Sequence, residues 1–276
     1  MWRARASISA AAGRRPVSWL IVESMVTSVS SGDVRIAYRD FGSAATAHPL
    51  SEVPVLLVHG MGGDGHTWDR FGQRLFRLGR RVIVPDLRGH GRSAHAGSYR
   101  FDEFGDDLLR LCEQLELTSV DLVGHSLGGY AATCVAIERP ELVRRLVIEE
   151  QPLPLRSDAE QLTLTRRLPT VPELWHATTN LLRHPSAVLA FDRSMTRIAL
   201  EQFRTPNPRW WERLGGITAP TLMLRGGPGG MVDPEKLALL RATVPDCTVV
   251  PFDCGHSIHR DRYREFAAAV LPFLGH

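Results

Sequence analysis

Residues 120–132 read Val-Asp-Leu-Val-Gly-His-Ser-Leu-Gly-Gly-Tyr-Ala-Ala, and no other stretch restricts the fold as much. Val120, Leu122 and Val123 supply the apolar run of a short buried strand, and the small residues from Leu127 to Ala132 begin a helix. Between them Gly124-His125-Ser126-Leu127-Gly128 fits G-x-S-x-G, in which a strand turns sharply into a helix with the serine at the strained apex. The turn holds the Ser126 hydroxyl off the backbone at the positive end of the helix, and leaves the Leu127 amide free to stabilise an oxyanion. A serine at a helix start also serves as an ordinary N-cap. Its setting between strand and helix favours the nucleophile.

With 276 residues the chain is long enough for one large domain with an inserted subdomain. The net charge of +3 is small and the basic residues are spread out, almost all of them arginine with Lys236 the single lysine, so no nucleic-acid footprint stands out. Cys112, Cys134, Cys247 and Cys254 have neither metal-ligand spacing nor the density of a disulfide scaffold. Their use suits a reducing compartment, the cytoplasm. No apolar run approaches the roughly 18 residues that span a bilayer. Residues 1–24, rich in arginine, alanine and serine, are expected to be a disordered leader, or upstream sequence before a true start at Met25.

In chain order, Val26–Val29 and Val34–Arg39 read as a hairpin around a polar turn, and Pro54–Val58 as a strand covered on both faces. That strand ends in His59-Gly60-Met61-Gly62-Gly63, whose glycines let a backbone amide, that of Met61, approach a reacting carbonyl. A helix over Trp68–Leu78 and a strand over Arg81–Val84 lead to Asp86-Leu87-Arg88-Gly89-His90-Gly91-Arg92-Ser93, read as a rigid loop tied by Asp86 and Arg88. Asp102 is expected to cap the next helix, which turns Phe104, Leu108, Leu111, Cys112 and Leu115 to one face. After the serine turn and its helix, Leu142–Ile148 forms another strand.

From Pro152 to Ala219 the rhythm changes to proline-broken, arginine-rich helix. We read residues 151–218 as a helical cap inserted into a core made of 25–150 and 219–276. The cap aromatics Trp175, Trp210 and Trp211 are candidates to line a substrate pocket, although packing the cap onto the body is the simpler role for any one of them. Strands at Thr221–Leu224 and Thr248–Val250 follow, and the second delivers Cys254-Gly255-His256-Ser257-Ile258-His259. Strands alternating with helices imply a mostly parallel, twisted α/β sheet of eight strands with helices on both faces and its site at the carboxyl ends. Ser126 and His256 both fall at such ends, and a serine needs an adjacent base to become a nucleophile.

The His59–Gly63 turn, Asp86–Ser93, the Gly124–Gly129 elbow and the Gly255-His256-Ser257 ending together resemble the alpha/beta-hydrolase superfamily over residues 26–150 and 219–276. The resemblance implies a Ser126 nucleophile, a His256 base, an oxyanion hole from the Met61 and Leu127 amides, and a lid. It makes His259 supporting structure. The acid departs from the family pattern, because Gly226-Gly227-Pro228-Gly229-Gly230 carries glycine where the carboxylate usually falls. Asp233 is displaced and precedes Pro234, as an N-cap residue does. Arg144–Glu150 resembles the matching stretch of haloalkane dehalogenases and related luciferases, where a glutamate serves as acid. That likeness favours Glu150, with Asp233 the alternative. Ser126 in place of an aspartate nucleophile argues against dehalogenation and epoxide hydrolysis.

The expected function is a serine hydrolase without cofactor or metal, opening an ester, thioester or amide bond of a small hydrophobic molecule through an acyl-enzyme, and engaging neither nucleic acid nor membrane. Cofactor-free haloperoxidase or perhydrolase chemistry and carbon–carbon bond hydrolysis would use the same residues. A non-catalytic ligand-binding protein is the alternative of a different class.

Overall fold

The structure, a computed structural model, describes residues 25–42, 51–160, 175, 178, 182, 189–227 and 229–276. The proposed leader at 1–24 and much of the middle of the cap lie outside these residues. Eight strands form one sheet: β1 (Met25–Ser31), β2 (Val34–Phe41), β3 (Ser51–Val58), β4 (Arg80–Pro85), β5 (Val120–His125), β6 (Val143–Glu149), β7 (Thr221–Arg225) and β8 (Cys247–Pro251). Their spatial order is β1-β2-β4-β3-β5-β6-β7-β8. The hairpin and its junction with β4 are antiparallel, and every later pairing is parallel. The hairpin turn is tighter than expected, two residues long, with Gly32 at φ +60°.

Alternation along each central strand divides the core in two. Leu56, Val58, Leu122, Leu146 and Ile148 face one side, where α2 (Phe101–Gln114), α3 (Leu127–Glu138) and the cap helices α4 (Ser194–Arg204) and α5 (Pro208–Arg213) pack. Val55, Leu57, Val123 and Val147 face the other side, against α1 (Asp69–Arg77) and α8 (Tyr263–Phe273). The remaining helices are α6 (Pro234–Thr243) and the short α7 (Ile258–Asp261). Covering both faces explains why the central strands read as continuous apolar runs instead of alternating with polar residues. At the amino end of the strands, buried Asp121 of β5 accepts from Arg80 at 2.6 Å and from Arg144, and Arg80 also donates to the Leu274 carbonyl at 3.2 Å. This network ties the end of the chain to the sheet.

One sequence expectation needs correction. The residue before α2 is Arg100, whose N–H donates to Glu103 at 2.8 Å, and Asp102 lies inside the first turn. A carboxylate at either place satisfies the exposed amides of a helix start, so the pattern alone misplaced the boundary by two residues. Trp210 and Trp211 are built into the cap's packing: Trp210 stacks on Tyr130 with centroids 5.6 Å apart, and Trp211 donates its ring N–H to the Pro154 carbonyl at 3.1 Å. Trp210 also lines a cavity of about 230 Å³ with Leu109, Tyr130, Cys134 and Asn207. Trp175 is two-thirds exposed.

Candidate active site

β5 ends at His125, and the chain reverses into α3 through Ser126 at φ +53° and ψ −119°. Left-handed backbone is costly for a residue with a side chain, by roughly 1–3 kcal/mol, and persists only where its surroundings impose it. Here the Ser126 N–H donates to the Glu149 carbonyl at 2.8 Å, and its carbonyl accepts from Tyr130 at 3.1 Å as the first bond of α3. A side chain at Gly128 would place Cβ 2.4 Å from the carbonyl oxygens of Val58 and His59, so only glycine lets α3 approach β3 here. Ser126 stands at the start of α3 with the Leu127 amide beside it, where the helix dipole favours negative charge.

The His59–Gly63 turn faces this elbow. A Cβ on Gly60 would lie 3.0 Å from that of Ser126, and Gly63 N–H closes the turn on the Gly60 carbonyl at 3.2 Å. Two buried histidines brace the turn. His59 accepts the Leu87 N–H on Nε2 at 3.0 Å and donates Nδ1–H to Gly60, while His90 accepts the Gly62 N–H at 3.0 Å and donates to the Arg88 carbonyl. Rings that accept backbone N–H groups must be neutral. Burial pushes the His59 imidazole down, and burial with the neighbouring His59 pushes His90 down to about 3. The Asp86–Ser93 loop is tied as expected: Asp86 accepts from Gly65 and Arg92, and Arg88 pairs with Glu103 and Asp107.

His256 lies on the loop between β8 and α7, against the elbow. Its carbonyl accepts Nε2–H of His125 at 2.9 Å, and the two rings are 4.6 Å apart. Its Nδ1 is buried, lacks a hydrogen-bond partner, and faces Glu150 Oε2 at 3.6 Å. That is ion-pair distance, and longer than a hydrogen bond. Glu150 is fully buried at φ +47°, and its carboxylate accepts the backbone N–H groups of Gly226 at 2.6 Å and Met231 at 2.5 Å. The glycine-rich segment after β7 thus wraps the Glu150 carboxylate with amides. Asp233 does what its place before Pro234 suggests, capping α6 by accepting from Glu235 at 2.9 Å and Lys236 at 3.1 Å.

Sequence reasoning overlooked Glu149. Its buried carboxylate accepts both the backbone N–H of His259 (3.0 Å) and that residue's Nδ1 (2.9 Å), and the His259 ring stacks on Trp68 at 4.1 Å. Burial raises the Glu149 carboxyl to about 7 and drives the adjacent His125 ring down to about 3. The available signal was two consecutive acids opposite two histidines three residues apart. A cleft of about 200 Å³ lies between α2, α3 and the cap, lined by Phe101, Tyr130, Pro152, Pro154, Phe203 and Asn207. Neither Ser126 nor His256 lines it. Exposed apolar side chains at the site itself come from Met61 and Met231.

The sequence pattern of the alpha/beta hydrolase fold matches residues 53–214, and the chain belongs to that family. It is a hydrolase. It is 28% identical over 254 residues to the mouse (Mus musculus) sn-1-specific diacylglycerol lipase ABHD11, spanning 80% of each chain. It is also 28% identical over 285 residues to the 2-hydroxy-6-oxononadienedioate/2-hydroxy-6-oxononatrienedioate hydrolase of Cupriavidus pinatubonensis, spanning 91% of this chain and 95% of the relative. Among solved structures, the thioesterase domain from the curacin biosynthetic pathway superposes with a TM-score of 0.66 at 28% identity, covering 89% of this chain and 98% of that one. Among the described residues, no helix is long and apolar enough to cross a membrane.

Proposed function

We propose that the protein is a serine hydrolase that opens an ester or thioester of a small hydrophobic molecule by way of an acyl-enzyme, with Ser126, His256 and Glu150 as its triad. The observation that carries this reading is the left-handed Ser126 at the head of α3, with His256 anchored to the preceding residue and facing a buried carboxylate. In the first half-reaction Ser126 Oγ attacks the carbonyl carbon while His256 Nε2 takes its proton. Glu150 orients the ring through Nδ1 and stabilises the imidazolium. The amides of Met61 and Leu127 receive the developing oxyanion. His256 then returns the proton to the leaving alcohol or thiol. In the second half-reaction it deprotonates a water that attacks the acyl carbon and restores Ser126.

Met61 and Met231, exposed on the turns that carry an oxyanion donor and grip the acid, support an apolar acyl or alcohol group. Relatives named as a lipase and a thioesterase support the bond type. Four free cysteines support a cytoplasmic site of action. A second reading, carbon–carbon bond hydrolysis, is favoured by the likeness to the C. pinatubonensis hydrolase, and the same residues would serve it.

The test is labelling with a fluorophosphonate probe and turnover of p-nitrophenyl esters of increasing acyl length, for the wild type and Ser126→Ala. Labelling and turnover that vanish in S126A are expected. Labelling retained in S126A removes Ser126 from the mechanism.

A further inference from the structure

His90 belongs to no part of the triad, yet it is fully buried and stands between the oxyanion turn and the cap. Residues 60–63 form a four-residue turn, and Gly62 in its third position has φ +75°. A turn of this hand is interchangeable with one in which the peptide plane between the second and third residues, here Met61–Gly62, is rotated by about 180°. The Gly62 N–H of that peptide donates to His90 Nε2 at 3.0 Å. In the rotated turn the Met61 carbonyl would point where this N–H points, lone pair against lone pair. The ring nitrogen thus fixes the peptide that follows Met61, next to the Gly60–Met61 peptide whose N–H is the proposed oxyanion donor.

The ring is seated from the other side by the cap. Phe191 packs on it with centroids 4.9 Å apart, and the flanking cap backbone is pinned to the loop that carries His90. Asp192 N–H donates to the Gly89 carbonyl at 2.9 Å, the Asp192 carboxylate accepts the Tyr99 hydroxyl at 2.6 Å, and the Ala190 carbonyl accepts from His95 at 2.8 Å. Inside the body the ring meets the edge of the His59 ring, with centroids 5.0 Å apart.

We propose that His90 is a positioning residue for the reaction: by fixing the Met61–Gly62 peptide it braces the Gly60–Gly63 turn that carries the Met61 amide, and Phe191 of the cap holds His90. This rests on the serine hydrolase reading above. Low basicity supports it, since the ring remains an acceptor throughout the neutral range.

The test measures kcat, KM and thermal unfolding for His90→Phe, His90→Gln and Phe191→Ala on a p-nitrophenyl ester, together with inhibition by an aryl trifluoromethyl ketone. This inhibitor forms a tetrahedral anion on the serine and so reports the oxyanion donors. H90F keeps a ring but loses the acceptor, and its kcat is expected to fall by about 10- to 100-fold with KM within about twofold, and inhibitor affinity to fall in parallel. Glutamine can return an acceptor oxygen to the Nε2 position, and H90Q is expected to recover most of the loss. F191A, which leaves the acceptor in place, is expected to lower kcat and inhibitor affinity about threefold or more. Wild-type kcat and inhibitor affinity in H90F, or an H90Q as impaired as H90F, overturn the proposal. Should H90F fail to fold, wild-type kcat and inhibitor affinity in F191A overturn it. A wild type that neither turns over esters nor takes the fluorophosphonate label removes the hydrolase reading and this proposal together, whereas a labelled, active wild type with unimpaired variants removes this one alone.

Discussion

Glu149 and Glu150 are neighbours in the chain, yet their carboxylates serve different histidines: Glu149 holds His259 at 2.9 Å and Glu150 faces His256 at 3.6 Å. Successive side chains of a strand point to opposite faces, and at Glu150 the chain leaves β6 with a left-handed turn. The two buried acids therefore grip one loop at points three residues apart.

Their roles separate on mutation. Glu150→Gln is expected to cut kcat by on the order of 10³- to 10⁴-fold, as loss of the orienting acid does in serine hydrolases generally. Asp233→Ala removes the cap of α6, costing about 0.5–2 kcal/mol of stability with kcat close to wild type. Steady-state kinetics and urea unfolding of both variants check this, and the reverse ranking of kcat would make Asp233 the acid.

Glu149→Ala leaves the His259 ring and backbone N–H without their acceptor in a fully buried place. Removing one member of such a pair costs about 3–5 kcal/mol. The loss should appear as a lower urea midpoint, with faster proteolysis of the His256 loop.

Acid should destabilise the protein through its buried histidines. The folded state keeps the His90 and His125 rings neutral down to about 3, while the unfolded chain protonates them near 6.5. Between those values the unfolded state binds more protons, so these groups contribute stability above pH 6.5 that is lost as the pH falls. Glu149 acts in the opposite sense: it holds its proton to about 7 instead of 4.5, and its contribution is lost as the pH rises through that window. Two histidines outweigh one carboxyl, and below 4.5 they act unopposed. Urea midpoints are expected to drop between pH 7.5 and 5, and His125→Gln to drop less.

Away from the site, Asp121→Ala strips two buried or half-buried guanidinium groups of their shared carboxylate. A stability loss of about 3–5 kcal/mol with unchanged KM is expected, read by chemical denaturation and ester kinetics.

The sheet was legible because apolar runs such as Val55–Val58 and the glycines around Ser126 are local consequences of burial on both faces and of close packing. His256 was legible from its place after the last strand. The acid proposed here was less so, since the direction of Glu150 depends on a left-handed backbone that a non-glycine residue does not advertise. Glu149, His59 and His90 act through partners 28 to 110 residues away, which periodicity does not reveal. Trp210 and Trp211 take the packing role that the sequence reading named as the simpler one, and Trp210 also lines a cavity.

Gly230 carries a further consequence. A Cβ there would sit 2.7 Å from one Glu150 oxygen and 2.8 Å from the other. A side chain at residue 230 would therefore displace the Glu150 carboxylate from the amides of Gly226 and Met231 that hold it, so the glycine there keeps the space that this carboxylate fills.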